Sequence, residues 1–415
     1  MRILLVSEDL PSPAMGGLAR HVLLLARALQ ADGHQVDLMG NDDIGPDEAG
    51  GEFDFDGRFY GELRGQFDGW KEMRLGVFMP PKRSMLGYRF AHAILRRAAA
   101  YDAIHYHGHL PNLASYIPAH INFIQTRHDQ GSECLVHTRY KRGAICNDLD
   151  PVACAECRTW HPNLLQRRVS AWAVTRYRNE VRRGFERHKT VFVSDFLQKN
   201  LTRCFGQRRW GVTVHNFIDT EALRWLEPPT PPSPSAMPAT PLRVFIAAKL
   251  YPAKGVECFL EVLQSRAPAA LQNQLQLEVA GDGNDEIRLR NRFPAVYFHG
   301  WQAAADTLRL AAHAQALVVP SVCEEACAST VLEGLALGKT VFALRLGGTP
   351  ELAVYALGPD QLRLYDTMEA LVDALLAFRA RPDYAGKPQR RADPAQAAGQ
   401  LLALYRMPAG AVGLQ

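Results

Sequence analysis

Two carboxylates eight positions apart, Glu325 and Glu333, stand in the stretch PSVCEEACASTVLEGLALGKTVFALRLGGTPE that runs from Pro320 to Glu351, just behind the apolar run Ala316-Leu317-Val318-Val319. The run reads as a strand. Glu325 then falls in the loop after it, and Glu333 in the first turn of the next helix. Loops at the carboxyl ends of parallel strands are where open α/β sheets bind ligands, and two acids there suit a site that holds hydroxyl groups. Two cations can act with them: Lys249 and Lys254, in Ala248-Lys249-Leu250-Tyr251-Pro252-Ala253-Lys254-Gly255, follow another apolar run. Such a pair can clamp a diphosphate, each charge-assisted contact contributing about 1.5–3 kcal/mol. Gly281-Asp282-Gly283 follows a further run and permits a tight turn beside a flat ligand such as a base. Trp301 and Gln302, after one more strand end, are candidates to flank that base. Gly16-Gly17 opens the first helix, where a side-chain-free backbone can approach a phosphate at a helix N-terminus.

Each of these features has a plainer reading. Thr330-Val331-Leu332-Glu333 fits a capping box, with Glu333 returning a hydrogen bond to the backbone of Thr330. The lysines could be surface charges, and the glycines could serve turn geometry alone. Gly347-Gly348-Thr349-Pro350-Glu351 reads as a helix start with Thr349 as cap and Pro350 at the first helical position.

The elements that must position these groups alternate in type. Candidate strands are Arg2–Ser7, Gln35–Met39, Asp102–His107, Asn122–Thr126, Thr190–Ser194 and Val212–Asn216. Between the first two, Leu18, Val22, Leu25 and Leu29 mark one helical face. Glu227–Thr240, EPPTPPSPSAMPAT, is too rich in proline for a helix or central strand. After it the alternation restarts with Leu242–Ala247, Leu275–Ala280, Val296–His299, Ala316–Val319 and Thr340–Leu344, and Pro394–Tyr405 reads as a closing helix. This is the βαβ pattern of doubly wound parallel sheets, α/β class, met twice. The expected organisation is an N-terminal domain over 1–220, a Pro-rich linker over 221–241, a second domain over 242–393 and a C-terminal helix over 394–415. At 415 residues the chain is too long for one core.

Composition excludes several classes. A hydrophobic share of 47% is that of a soluble globular protein, and no apolar run is long enough to span a bilayer. MRILLVSEDL reads as a first strand and not as a signal peptide. A net charge of +4 does not argue for nucleic acid. The basic charge is local: Arg167, Arg168, Arg176, Arg178, Arg182, Arg183, Arg187 and Lys189 face only Glu180 and Glu186 between Leu164 and Lys189, with Leu164, Leu165, Val169 and Trp172 interspersed. Such a helix could lie on an anionic membrane surface, or be solvated with one core face. Cys134, Cys146, Cys154 and Cys157 cluster in a polar insertion over 130–160 that ends in C-x-x-C. Structural zinc, disulfides and free thiols are all open there, with zinc favoured in a cytosolic chain and His137 a substitute ligand.

Taken together, the residues resemble the retaining glycosyltransferases of family 4, which have the GT-B fold. The resemblance covers nearly the whole chain and rests on GGLARHVLLLARAL, IHYHG, TRHD, FVSDF, TVHNFID, AAKLYPAKG, VAGDG, VYFHGW and the E-x7-E block, in that order. It implies two Rossmann-like domains facing a cleft, with the second holding a nucleotide-sugar donor, a UDP- or GDP-sugar. Glu333 would hold the ribose hydroxyls, and Glu325 would contact the donor sugar. Lys249 and Lys254 would neutralise the diphosphate leaving group. Backbone amides at Gly17 and at Gly347-Gly348 would complete the pocket. His128 would lie near the reacting centre, with His107 and Ser194 on the acceptor side.

Fixed cations and helix N-termini can stabilise the leaving diphosphate without a metal. The two D-x-D patterns, Asp54-Phe55-Asp56 and Asp148-Leu149-Asp150, are placed at no strand end that would face the donor, so no catalytic metal is expected. The implied acceptor is a sugar or lipid-linked glycan in surface polysaccharide or glycolipid assembly. The implied location is cytoplasmic, peripheral at the inner face of the plasma membrane. Two departures bear on the donor pocket. Lys249 stands where the family often has Arg, and Ala326-Cys327-Ala328 replaces the more usual Phe-Gly. These departures motivate a non-catalytic nucleotide-sugar-binding homologue as the alternative. A nucleotide-sugar epimerase would lack the E-x7-E block, and a Rossmann dehydrogenase would need a G-x-G-x-x-G after a strand.

Overall fold

The computed structural model describes residues 1–12, 16–49, 53–63, 80–157, 163–224, 241–269, 274–379, 384 and 388–410. Residues 225–240, which hold nearly all of the Pro-rich segment, lie outside them, as do 158–162 at the end of the cysteine-rich insertion. The chain divides into two compact units. One comprises Met1–Lys141, Cys146–Phe217 and Asp393–Gln415, the other Arg142–Ile145 and Ile218–Ala392.

The first unit is built on seven strands: β1 (Arg2–Val6), β2 (Gln35–Asn41), β3 (Phe59–Leu63), β4 (Ala103–His107), β5 (Phe123–Arg127), β6 (Lys189–Phe192) and β7 (Val212–Thr213). They lie in the order β3-β2-β1-β4-β5-β6-β7, and every pairing is parallel. Helices α1 (Gly17–Ala31), α2 (Pro80–Arg97), α3 (Leu164–Arg187) and α4 (Asp195–Phe205) cover the sheet. Helix α1 buries Ala19, Val22, Leu25, Ala26 and Leu29, one stripe at helical spacing.

The second unit has six strands: β8 (Leu242–Ala247), β9 (Leu275–Ala280), β10 (Tyr297–Gly300), β11 (Ala316–Val319), β12 (Thr340–Leu344) and β13 (Leu362–Tyr365). Their order is β10-β9-β8-β11-β12-β13, again all parallel. Helices α5 (Val256–Arg266), α6 (Glu286–Arg292), α7 (Ala304–His313), α8 (Ser329–Ala336) and α9 (Met368–Leu376) complete it. Strands β11 and β12 are buried along their full length, as expected for parallel strands covered on both faces.

The last helix, α10 (Pro394–Tyr405), belongs to the first unit. Ala397, Ala398, Leu401, Leu402, Leu404 and Tyr405 enter the core that α1, β1 and β2 form. Lys189 Nζ donates to the carbonyls of Leu404 and Met407 at 2.8 and 2.6 Å, and Tyr405 Oη meets His105 Nδ1 at 2.6 Å. Asp393 caps this helix, accepting from the Ala395 N–H at 2.8 Å, which is why it goes with the first unit.

Two strands have no counterpart in the sequence reading. β3 and β13 lie at sheet edges and are only part-buried, so neither carries a continuous apolar run.

Candidate functional site

In both sheets the strand order reverses once, between β1 and β4 in the first unit and between β8 and β11 in the second. The crevice at such a switch point, beyond the carboxyl ends of the strands, is where doubly wound sheets take ligands.

In the second unit the switch point brings Lys254, after β8, to Glu325, after β11. Lys254 Nζ donates to Glu325 Oε1 at 2.5 Å, and Ser321 Oγ donates to the same oxygen at 2.6 Å. Both partners are about four-fifths buried, with side-chain exposures of 22% and 18%. Burial alone would raise the Glu325 carboxyl. The Lys254 ammonium and the hydrogen bonds from Lys254 and Ser321 outweigh it and hold the group below the usual carboxylate range. Burial likewise opposes the Lys254 charge, and Glu325 more than offsets it. The pair thus sits fully ionised at neutral pH, a fixed dipole at the sheet edge.

The backbone around the pair is locked. Gly347 has φ +61°, and a Cβ there would run into the Glu325 carbonyl. The Gly348 N–H donates to that carbonyl at 2.8 Å. The loop after β8 is tied to the loop after β11 through the Val322 and Cys323 N–H groups, both 3.1 Å from the Ala253 carbonyl. It is tied to the loop after β9 through the Leu250 N–H, 2.7 Å from the Asp282 carbonyl. Gly281, φ +140°, has no room for a side chain against the Ala248 carbonyl. Lys249 is set apart from Lys254: it is half-exposed and pairs with Asp282 Oδ1 at 2.7 Å. Trp301 is also exposed, and Gln302 Nε2 donates to the His299 carbonyl at 3.2 Å.

Two local expectations are corrected. Helix α8 begins at Ser329 with Ala328 as its cap, which offers no side-chain bond, so Thr330 is not a cap and Glu333 lies in the second turn and not the first. The capping-box pairing has no cap residue to serve. The turn after β12 is capped by Gly348, with Thr349 as the first residue of the 3-10 turn and buried.

In the first unit the switch point gathers imidazoles. His107 Nδ1 lies 3.0 Å from His128 Nε2. His21, on α1, meets His128 edge-on at 4.6 Å between ring centroids and stacks on Phe217 at 4.2 Å. His105 packs against His107 at 4.0 Å and is bonded to Tyr405 and Thr126. Burial pushes His21 and His105 down to about 3, and burial first, then the neighbouring rings, holds His107 and His128 well below the usual histidine range. Four neutral rings therefore line this edge.

A second network lies beside them. His109 Nδ1 is 3.0 Å from Asp129 Oδ2, and its Nε2 is 3.3 Å from Asp9 Oδ2. Both ring nitrogens face carboxylates. Burial would raise Asp129, but His137 and His109 hold it well below the carboxylate range. Gly16 is the cap of α1, and a side chain on Gly16 or Gly17 would meet no atom within 4 Å, so these positions hold open backbone. Ser194 does not line an open surface: it is buried, and its Oγ accepts from the Leu197 N–H at 3.3 Å as the cap of α4.

The four clustered cysteines form no disulfide and line one cavity. Burial raises Cys134 to about 11, and Cys154 Sγ accepts from Arg178 Nη2 at 3.2 Å. Among the described residues, two sets of three ligating groups bring their ligand atoms within 4.8 Å of one another: His21, His107 and His128, and His109, Asp129 and His137. Neither includes a cysteine, so zinc held by the thiols would have to draw the sulfurs together. His137 turns its Nε2 to Arg83 Nη2 at 2.9 Å and is not part of the cysteine set.

Several of these groups were given no role of their own in the sequence reading, although Asp282, His21, His105 and Asp129 lie inside motifs quoted there: Ser321, Asp282, His21, His105, Asp9, His109 and Asp129. Ser321, four residues before Glu325 in the same loop, and Asp282, inside the Gly281-Asp282-Gly283 turn, carried a local signal.

Comparison with known proteins agrees with this arrangement. The model of Glycosyltransferase Family 4 matches residues 15–222, and that of the Glycosyl transferases group 1 matches residues 241–379. No curated protein matches the sequence. Among solved structures, sucrose-phosphate synthase from Thermosynechococcus elongatus is 18% identical with a TM-score of 0.63, covering 98% of each chain. WaaG, a glycosyltransferase involved in lipopolysaccharide biosynthesis, is 15% identical with a TM-score of 0.58, over 98% of this chain and 97% of its own. The catalytic domain of starch synthase IV from Arabidopsis thaliana, bound to ADP and acarbose, is 15% identical with a TM-score of 0.56, over 97% and 98%. At these identities the likeness carries the GT-B fold, and the family rests on the sequence match over half the chain. The chain belongs to Glycosyltransferase Family 4.

Proposed function

We propose that the protein transfers a sugar from a nucleoside-diphosphate donor to a sugar or lipid-linked glycan acceptor with retention of anomeric configuration and without a catalytic metal. The observation that carries this reading is the Lys254–Glu325 pair at the switch point of the second unit, braced by Ser321 and by the Gly348 amide. Departure of the diphosphate develops negative charge, and preorganised cations and amides stabilise such charge more than they stabilise the ground state. Lys254 supplies a buried cation, Lys249 an exposed one. Glu325, held ionised and fixed by three partners, is suited to accept hydrogen bonds from donor-sugar hydroxyls. Glu333, inside α8, is the candidate for the ribose. In the first unit His128 presents a neutral ring, which can accept or donate one hydrogen bond without adding charge.

Solved structures of similar fold are consistent with the donor class: Anabaena Alr3699/HepE was solved in complex with UDP. A cytoplasmic enzyme peripheral to the inner face of the plasma membrane, acting in surface polysaccharide or glycolipid assembly, is the setting that suits the basic helix α3. The test is turnover of a panel of UDP- and GDP-sugars with sugar acceptors in the presence of chelator, with the anomeric configuration of the product read by NMR. Transfer with retention supports the proposal, and transfer that requires added divalent metal, or proceeds with inversion, contradicts it. A second reading, a nucleotide-sugar-binding homologue without turnover, draws on Ala326-Cys327-Ala328, where Cys327 and Ala328 are buried.

A further inference from the structure

We infer that the outer face of α2 and α3 docks on an anionic lipid bilayer and that the cavity beside Trp172 takes up a lipid chain. This deepens the reading of a lipid-linked acceptor and rests on it only for biological purpose. Its physical basis is separate from the donor site.

Nine large apolar side chains stand exposed among the described residues, and six of them are on these two helices: Met85, Tyr88, Leu164, Leu165, Val169 and Trp172. Leu164 and Leu165 are 70% and 73% exposed. They lie in the first turn of α3, where residues 163–169 are exposed on every side. A globular protein does not leave a pair of leucines at a helix end in water without a partner for them. Charge selects the partner. Arg167, Arg168, Arg176, Arg182, Arg183 and Arg187 are exposed on α3, whereas Glu180 is buried at 1% and Glu186 is the one exposed acid of the helix. An apolar ridge flanked by guanidinium groups supplies the two signals that stable attachment to an anionic bilayer needs. Trp172 and Tyr88 are amphipathic rings of the kind that settle at the headgroup level.

Between the helices lies a cavity of about 410 Å³, lined mainly by Met85, Tyr88, Tyr116, Trp172, Ala173 and Arg176. That size is in the range of ligand pockets. Its walls are apolar and aromatic, and its one cation is Arg176, whose Nε is 2.9 Å from Glu180 Oε1 and whose guanidinium carbon is 5.5 Å from the Trp172 ring centroid. Glu180, the acid beneath, is spent on Arg176, Ser84 and Asn112. The cavity therefore offers an apolar seat with one ion-paired guanidinium at its edge, on the helix that carries the exposed arginines, which fits a chain leading down from an anionic headgroup. No helix among the described residues is long and apolar enough to cross a membrane, so attachment would be at the surface.

The test is flotation of the full chain with phosphatidylcholine vesicles, with and without phosphatidylglycerol, at low and high salt. The expected result is binding that requires phosphatidylglycerol and weakens as salt rises. Arg168→Glu with Arg183→Glu should lower binding about tenfold or more. Leu164→Ser with Leu165→Ser should lower it at low salt as well. Lipid brominated on its chains should quench a Trp emission component that Trp172→Phe removes. Wild-type protein that fails to bind the anionic vesicles, or a double charge reversal that binds as the wild type does, would overturn docking. Unquenched Trp172 in bound protein would overturn chain uptake. A change from dimer to monomer in the double serine variant, without vesicle binding, would assign the face to a second copy of the chain and overturn the lipid reading. Titration of the same variants with UDP and GDP separates this from the functional proposal: unchanged nucleotide affinity beside lost vesicle binding supports docking, and loss of both would mean the surface changes reach the donor unit, against docking as a separate function.

Discussion

The two switch points share a strand order and differ in chemistry. At the second unit's edge the site is charged: a mostly buried Lys254–Glu325 pair, a half-exposed Lys249–Asp282 pair, and loops held to one another by backbone hydrogen bonds and by glycines that admit no side chain. At the first unit's edge four histidines pack ring against ring, and burial keeps them neutral. The difference teaches that the fold supplies a place for a ligand while the residues supply opposite electrostatics. One edge is suited to neutralise a departing anion. The other is suited to present hydrogen-bonding groups without net charge.

The largest effect should come from the charged edge. Glu325→Gln removes the acceptor of both Lys254 and Ser321 and should lower turnover by about a thousandfold, in the range seen for loss of one preorganised group at a developing charge, while nucleotide affinity changes by less than tenfold. Equal losses of turnover and nucleotide affinity would break the division of roles. Next, His128→Ala should lower turnover about a hundredfold, the scale of a single positioned hydrogen-bonding or proton-transferring group, and leave calorimetric nucleotide binding unchanged. A comparable fall in nucleotide affinity would erase the contrast between the two edges.

The neutral rings also predict a pH dependence. His21 and His105 have folded values near 3, below the ordinary 6.5, so the unfolded chain binds more protons between those two values. Their contribution is therefore fully present above about pH 6.5 and is lost as pH falls towards 3, by about 1.4 kcal/mol per pH unit for each ring through most of that window. Denaturant unfolding of His21→Phe should show a shallower acid limb than the wild type. An unchanged limb would mean that the ring is not held neutral. Lys249, exposed and paired with Asp282, should matter less than Lys254: Lys249→Ala should weaken nucleotide binding about tenfold, and Glu333→Ala by a similar factor. The smallest expected signal is metal. With the sulfurs of the cysteine cavity apart, analysis of the purified, denatured protein should give eight titratable thiols, the four of the cavity among them, and substoichiometric zinc. One zinc per chain, released by chelator with loss of stability, would support structural zinc instead.

How much of this was legible in the sequence follows the same contrast. Strands β8, β9, β11 and β12 were read at their full extent, because β11 and β12 are continuous apolar runs and β8 and β9 carry mostly apolar ones, and Lys254, Glu325 and Gly347 follow those strand ends by three to seven residues. The fully exposed start of α3 was legible in part, since its arginines and leucines are contiguous in sequence. The imidazole array was legible only in part: the resemblance named His107 and His128, but nothing in the sequence joined His21 and His105 to them. His21, His105, His107 and His128 come from α1, β4 and the loop after β5, and only the parallel pairing of β1, β4 and β5 brings them together. The same holds for Asp9, His109 and Asp129. The capping box failed for a local reason: the helix starts one residue before Thr330, so a pattern that fits in spacing has no cap to serve.

The most direct test of the central claim, a nucleotide-diphosphate donor site at the switch point of the second unit, is calorimetric titration of the protein and of Lys254→Met with UDP and GDP and then with their sugar conjugates, without added divalent metal. The account predicts that one nucleotide binds the wild type, that one of its sugar conjugates binds at least as tightly, and that Lys254→Met weakens both by tenfold or more. Absence of binding by every one of these ligands, or binding that Lys254→Met leaves unchanged, would contradict it.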